Sequence, residues 1–279
     1  MKDHNSIEEI ISEIHKKQLL MMKQVLPLLE KNGIAYYLAF GTFLGAVRHS
    51  GFIPWDDDVD IQILHKDYAR FIKICKRYLD SDVYEMHSSE DKGISSIYTK
   101  IYLKNTFIPT LYNDESSIDD NDGIWLDFFD VIFAAASEKW LNIQLSMIRS
   151  VQRIKTRYLA YKGDNIIKKY INEIVNSGIH ILSKIVLFFA RCIGGMSNHK
   201  EVINLGSMFY EPVSIEVYKG KGMILSAEYF KNRKKYKFEN DSFYGVEDYD
   251  GYLSACYTSN YMIPVRYNSH ITDYSKVRL

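Results

Sequence analysis

Four aspartates stand within five residues, at Asp56, Asp57, Asp58 and Asp60, and the chain on either side of them is apolar. Upstream, Ile34-Ala35-Tyr36-Tyr37-Leu38-Ala39-Phe40 is an apolar run of strand length, and it ends at Gly41-Thr42. A short segment of helical character follows, Phe43 to Val47, and Arg48-His49-Ser50-Gly51 breaks it. A second strand then begins inside the acidic run and continues through Ile61-Gln62-Ile63. Side chains alternate along a strand, so Asp58 and Asp60 share one face while Val59 and Ile61 take the other. An acidic run standing alone is a solvated turn. Here the alternation with Val59, Ile61 and Ile63 draws the carboxylates toward a core instead.

Like charges so close are costly unless a cation lies between them. With no Cys or His nearby, the donors suit a hard ion, Mg²⁺ or Mn²⁺. An aspartate pair on a strand, facing a glycine-hydroxyl turn at a helix start, holds metal and phosphate together: backbone N–H groups meet phosphate oxygens while the ion offsets charge. A calcium loop is excluded, because the sixth position from Asp56 is Ile61 rather than Gly and the twelfth is Asp67 rather than Glu.

The 21 residues from Gly41 to Ile61, GTFLGAVRHSGFIPWDDDVDI, resemble the signature of the LicD family, which includes bacterial phosphocholine transferases and animal fukutin-related proteins. The resemblance implies an α/β (α+β) fold of nucleotidyltransferase type: a mixed sheet flanked by helices, here with a helical insertion in the middle. Thr42 stands where the wider superfamily has a small second residue, and the gap from the turn to Asp58 is longer than usual; both departures are LicD-like. Further blocks are similar to the family. Ser96 to Thr106, SIYTKIYLKNT, matches a strand bearing a basic residue and makes Lys100 a candidate phosphate or acceptor contact. An exposed strand lysine is the equal alternative. Ile124 to Val131, IWLDFFDV, matches a strand carrying a third carboxylate, which makes Asp127 the third metal ligand and a candidate base for the acceptor hydroxyl. Independently, an acid among Trp125, Leu126, Phe128 and Phe129 needs a partner if buried. Asp130 is a weaker candidate, since Phe129-Asp130-Val131 departs from the family's turn.

Composition sets the outer bounds. At 279 residues with 47% hydrophobic and 14% aromatic content, the chain can bury a sizeable core. A net charge of +0 gives no global field toward nucleic acid. Cys75, Cys192 and Cys256 are widely spaced and odd in number, so a reducing cytoplasm fits better than a disulfide framework. The charged N-terminal stretch does not read as a secretory signal.

Taken in order, Ser6 and Glu9 suggest a capping box, with Ile7, Ile10, Ile11, Ile14, Leu20, Met21, Val25 and Leu28 as a helical stripe. Pro27 is expected to bend or divide this helix and Gly33 to end it, with His15 on its surface. His65 to Leu79 reads as a helix, Val83 to Met86 and Ser95 to Leu103 as strands, and Asn121-Asp122-Gly123 as a turn. Ser137 to Tyr161 and Asn165 to Cys192 read as long helices. Lys184 and Arg191 interrupt the second, so a core helix is favoured over a transmembrane span, with peripheral membrane contact as the second reading. The tyrosine-rich C-terminal part reads as short strands and turns. Its segments Tyr229 to Val246 and Asp248 to Pro264 resemble the family's closing blocks, and Arg266 and His270 fall where the family often has a basic residue and a histidine. The expected organisation is a catalytic core over 1–135, a helical insertion over 136–200, and a segment over 201–279 that completes the core.

The resemblance implies a metal-dependent transferase moving a phospho-alcohol, phosphocholine from CDP-choline first, to a hydroxyl of a free or lipid-linked glycan. The reaction would run in the cytoplasm or on the inner membrane face, with no nucleic-acid partner. Asp58, Asp60 and Asp127 would hold the metal, and Gly41, Thr42, Arg48, His49, Lys100, Arg266 and His270 would bind substrate, with Pro54-Trp55 shaping the site. Three other activities use similar parts: a nucleotidyltransferase that leaves NMP on its product, a metal-dependent glycosyltransferase, and a non-catalytic glycan-binding protein.

Overall fold

The computed structural model describes residues 4–92, 94, 96–109, 123–159, 166–206, 224–257, 259–266, 271 and 273–279. The Asn121-Asp122 turn and His270 lie outside them. The chain divides into two compact units: Met1–Met86, Lys100–Phe128 and Asn232–Leu279 form one, and His87–Thr99 with Phe129–Lys231 the other.

In the first unit, α1 (His4–Lys31) is one continuous helix that passes through Pro27 and begins ahead of Ser6. Of the expected stripe Ile11, Ile14, Met21 and Val25 are buried, together with Met22, Leu26 and Leu29, while Leu20 is 58% exposed. Gly33 ends the helix at φ +66°, with Gly33 N–H donating to Glu30 O and Ile34 N–H to Leu29 O, the paired bonds of a Schellman cap. β1 (Tyr36–Leu38) pairs antiparallel with β2 (Asp60–Leu64), Leu38 opposite Ile61. Between them α2 (Phe40–Arg48) turns back, and after them α3 (His65–Tyr78) covers the sheet. The strand order is β1-β2-β5-β4-β3, with β3 at Tyr84–His87, β4 at Thr99–Leu103 and β5 at Trp125–Phe133. The mixed sheet and flanking helices are the α/β class expected.

The end of this unit is less strand-like than its composition suggests. Ala227–Phe230, which precedes it in the other unit, is a 3-10 turn. β8 (Arg233–Phe238) and β9 (Asp241–Val246) form a hairpin, but Tyr249–Tyr257 is a helix, here α6, because Asp248 accepts from Gly251 N–H and caps it. The hairpin packs on α2 closely enough that a Cβ at Gly245 would overlap the Phe43 ring.

In the second unit, the end of β5 pairs antiparallel with β6 (Glu201–Asn204), and β6 with β7 (Ile224–Ser226). Against them pack α4 (Glu138–Leu159) and α5 (Ile166–Gly195), the predicted long helices shifted by a few residues. Their core is Ile132, Leu141, Leu145, Ile148, Leu187 and Ala190 with Ile203 and Leu205. Gln144, fully buried, donates to Phe133 O and Ala190 O and accepts from Ala135 N–H, so one amide joins β5, α4 and α5. Lys155 is likewise buried, donating to Ser96 O, and burial pulls its pKa down to about 8. α5 is not the core helix expected: Leu187 and Ala190 are buried, but Ile174, Ile181 and Phe188 are exposed. By length and composition its Ile174–Gly195 segment could also cross a membrane.

Gly194 offers a test of this packing. A Cβ there would run into the Phe133 carbonyl oxygen, whereas one at Gly195 would meet nothing within 4 Å. Gly194→Ala should therefore cost about 2–3 kcal/mol, while Gly195→Ala should be neutral or slightly stabilising. Thermal melts of the two variants beside wild type read the difference.

Candidate active site

The first unit brings together three carboxylates that are remote in sequence. Ligand atoms of Asp58, Asp60 and Asp127 all lie within 4.8 Å of one another, and all three residues are buried. The strand ladder sets this arrangement. Ala39 N–H donates to Asp60 O, closing the β1–β2 register at the point where β2 begins. Asp127 N–H donates to Val59 O, which places β5 beside Asp58 and Asp60. Val59 and Ile61 point the other way and are fully buried.

Electrostatics make this cluster expensive. Burial first, then the charges of Asp58, Asp127 and Asp56, raises the Asp60 carboxyl well above its ordinary range, with Lys100 opposing. Asp60 Oδ1 is buried with no hydrogen-bond partner among the described residues. Asp127 is better served: Lys100 Nζ lies 2.7 Å from Oδ1 and 3.0 Å from Oδ2, and Trp125 Nε1–H donates to Oδ2 at 3.1 Å. The ammonium also sits 4.7 Å over the Trp125 ring. Burial alone would lower the Lys100 pKa, but Asp127, Tyr102 and Asp58 outweigh it and raise it, so Lys100 is a fixed cation. Lys100 thus serves Asp127, while Asp60 Oδ1 keeps no hydrogen-bond donor among the described residues. An oxygen-only donor set with an orphaned carboxylate oxygen fits a hard divalent ion.

The acidic loop is held from several sides. From α1, His15 Nε2 bonds Asp56 O at 2.6 Å and Gln18 Nε2 donates to Asp57 O at 2.8 Å. His15 is therefore not a surface residue; its ring stacks on Phe52 at 4.1 Å, and burial lowers its pKa against the raising pull of that carbonyl, Glu239 and Asp57. Asp57, 1% exposed, accepts from Ile271 N–H. Asp56, Asp57 and Asp58 also bring ligand atoms within 4.8 Å of one another.

Gly41 falls in the first turn of α2, and a Cβ there would come within 2.5 Å of Asp56 Oδ2. The carboxylate thus lies directly against the helix start, where the positive end of the dipole faces it. The preceding Phe40 has φ +42°, a left-handed conformation that costs a bulky residue about 1 kcal/mol or more. Thr42 is buried, and its hydroxyl accepts from Asp60 N–H at 2.8 Å, so it anchors the aspartate strand. Arg48 donates to Tyr261 O at 2.8 Å and approaches Ile263 O, tying α2 to the closing segment. His49 is half-buried, edge-on to Trp55, with a pKa lowered by burial and by Arg48. Pro54 and Arg266 are exposed. Asp130 lies in the other unit, fully buried in an ion pair with Arg191 of α5 at 2.8 Å.

Sequence reasoning did not single out His15, Gln18 or Trp125 as parts of this site. Trp125 was detectable, since it is two residues before Asp127 on one strand and so shares its face. His15 and Gln18 act on backbone carbonyls about forty residues away, a role no local pattern encodes.

Comparison with known proteins finds likenesses along this chain. Residues 33–118 match the family model LicD/FKTN/FKRP, nucleotidyltransferase domain. The lipopolysaccharide cholinephosphotransferase LicD of Haemophilus influenzae is 25% identical over 245 residues, which cover 85% of this chain and 86% of the relative. An uncharacterized protein of Rickettsia prowazekii is 36% identical over 113 residues, 34% of this chain and 41% of its own length. The chain thus spans less than half of that relative. Human ribitol 5-phosphate transferase FKRP is 47% identical over 45 residues, 16% of this chain and 9% of the relative. Residues 33–118 thus carry the nucleotidyltransferase domain of the LicD/FKTN/FKRP family, and the likeness to LicD extends over most of the chain. The matched domain contains Asp58, Asp60 and Lys100 but stops short of Asp127, which joins them by geometry.

The raised Asp60 pKa yields a stability test. A carboxyl whose folded pKa lies above its unfolded value penalises the fold in full above the folded pKa; the penalty shrinks as pH falls below that and vanishes under the unfolded pKa. Asp60→Asn should therefore melt above wild type in metal-free buffer at neutral pH, by about 1–3 kcal/mol. The gap should narrow as the pH is lowered through the raised Asp60 pKa, which paired melts across pH would record.

Proposed function

We propose that this protein transfers a phospho-alcohol, phosphocholine from CDP-choline in the first instance, to a hydroxyl of a cell-surface glycan. The meeting of Asp58, Asp60 and Asp127 beside the start of α2 carries the reading. The activities named for two relatives, cholinephosphate and ribitol 5-phosphate transfer, both move a phospho-alcohol. Their acceptor chemistry, and CDP as the carrier of the donor, are part of the proposal. So is a place in the cytoplasm or at the inner membrane face.

In this reading Asp58, Asp60 and Asp127 would hold Mg²⁺ or Mn²⁺. The ion would supply charge neutralisation at the donor phosphates and at the leaving nucleotide. The chain's own residues do the rest. Lys100, fixed as a cation against Asp127 and Trp125, adds positive charge next to the carboxylates and keeps Asp127 in register. Gly41, lacking a Cβ, lets the Asp56 carboxylate lie against the start of α2, so donor phosphate would reach those backbone N–H groups by displacing that carboxylate. Thr42 fixes the β2 backbone under Asp60, and Arg48 fixes the closing segment through Tyr261 O. Asp127 is assigned as a ligand, steered by Lys100 Nζ at 2.7 Å from Oδ1 and 3.0 Å from Oδ2, and it is also the candidate to take the acceptor hydroxyl's proton. The acceptor hydroxyl displaces the nucleoside monophosphate at the phosphorus that carries the alcohol.

The test is mass spectrometry of the glycan after incubation with CDP-choline, CDP-ribitol or CDP-glycerol and Mg²⁺. An added phosphocholine supports the reading in full, and an added ribitol or glycerol phosphate redirects the donor. An added NMP or bare sugar overturns it in favour of a nucleotidyltransferase or glycosyltransferase. Outer partners of metal ligands typically contribute 10–100-fold, so Asp58→Asn and Asp127→Asn should lower kcat by at least about 100-fold. In the same variants, the rise in melting temperature that Mn²⁺ gives wild type should be lost.

A further inference from the structure

α5 presents two apolar faces, and only one of them is packed. Ser183, Leu187 and Ala190 face the core of their unit, while Ile174, Ile181, Leu182, Ile185, Phe188 and Phe189 are between 48% and 74% exposed. At 100° per residue these six fall in one arc on the side of the helix opposite Leu187 and Ala190. Lys184, exposed, borders that arc.

Charge identifies what the stripe fits. Residues 138–195 hold ten Lys and Arg against three Asp and Glu, a net +7 in a chain whose total is +0. The remainder therefore carries the balancing negative charge, and the helical hairpin is the basic part of a neutral protein. We propose that the exposed face of α5 seats on an anionic lipid bilayer, with the helix lying in the interface. A second copy would bring one basic segment against another, which opposes pairing even with Lys155 buried and Arg191 paired to Asp130, whereas an acidic lipid surface matches both the charge and the apolar stripe. The helix lies on the bilayer and does not cross it, because its other side is bound into the protein. Ala190 O accepts from Gln144, and Arg191 is ion-paired with the buried Asp130. The inference is independent of the transferase reading and survives or fails on its own.

Vesicle co-sedimentation of the full chain tests it. Wild type should pellet with vesicles in which phosphatidylglycerol replaces part of the phosphatidylcholine, less so at high salt, and weakly with phosphatidylcholine alone. The Phe188→Glu/Phe189→Glu variant should lose about tenfold or more of this partitioning with an unchanged melting temperature, since both side chains are solvent-exposed. Should that variant fold poorly, Phe188→Trp serves: its added fluorescence should be quenched by brominated lipid. Absence of pelleting, equal pelleting of the variant, or no quenching of the tryptophan overturns the proposal. So does a wild-type dimer in sedimentation velocity that the double variant converts to monomer, for then a second copy covers the stripe.

Discussion

Mutual repulsion among Asp58, Asp60 and Asp127 is the constraint the first unit is built to withstand. Left alone, three buried carboxylates would move apart or take up protons, and either response would disperse the site. The fold prevents the first by backbone means. The β1–β2 ladder, the Asp127 N–H to Val59 O bond and the Thr42 acceptor under Asp60 fix the main chain at each aspartate. The full burial of Val59 and Ile61 on the opposite face opposes any flip of β2, because exchanging faces would place two apolar residues at the site and two acids in the core. Lys100 meets only part of the second problem, since it grips Asp127 and leaves Asp60 Oδ1 without a donor among the described residues.

The flanking elements serve the same end. α1 reaches the acidic loop through His15 and Gln18, both directed at backbone carbonyls, so they fix the path of the loop without adding charge of their own. A lysine in either position would neutralise the cluster and compete with any cation. The hairpin of β8 and β9 acts at the other end of the loop: Glu239 accepts from Phe52 N–H, and Glu239 N–H donates to Ser50 O. The result is a loop whose backbone groups are satisfied by neighbours while its side-chain oxygens remain directed toward one another. Binding sites are commonly destabilised in this way, with the cost met by packing elsewhere.

Legibility in the sequence followed the range of the interactions. Alternation in Asp58-Val59-Asp60-Ile61 assigned faces correctly because strand geometry is local. The Gly33 cap and the α4 and α5 helices were equally local and were read to within a few residues. Asp127 needed more than pattern: burial among aromatics showed that it required a partner, and only the resemblance connected it to Asp58 and Asp60. Failures came where a distant contact decided. His15 reads as an exposed helical histidine until Phe52 is seen to stack on it. Tyr249–Tyr257 reads as turn and strand because it is tyrosine-rich, yet the Asp248 cap and the burial of Tyr252, Leu253 and Cys256 on one side make it a helix.

α5 shows the opposite limit, in which composition was informative and the conclusion drawn from it incomplete. An apolar helix broken by Lys184 and Arg191 invites assignment to a core, but the two charges sit differently. Arg191 turns inward to the buried Asp130, so it anchors the helix, whereas Lys184 remains in solvent beside the exposed stripe. A charge that interrupts an apolar segment thus has no fixed meaning until its counterion is known. With an internal partner it supports packing against protein. Without one, at the margin of exposed Ile, Leu and Phe, it belongs to the pattern of a surface that meets something apolar and negatively charged.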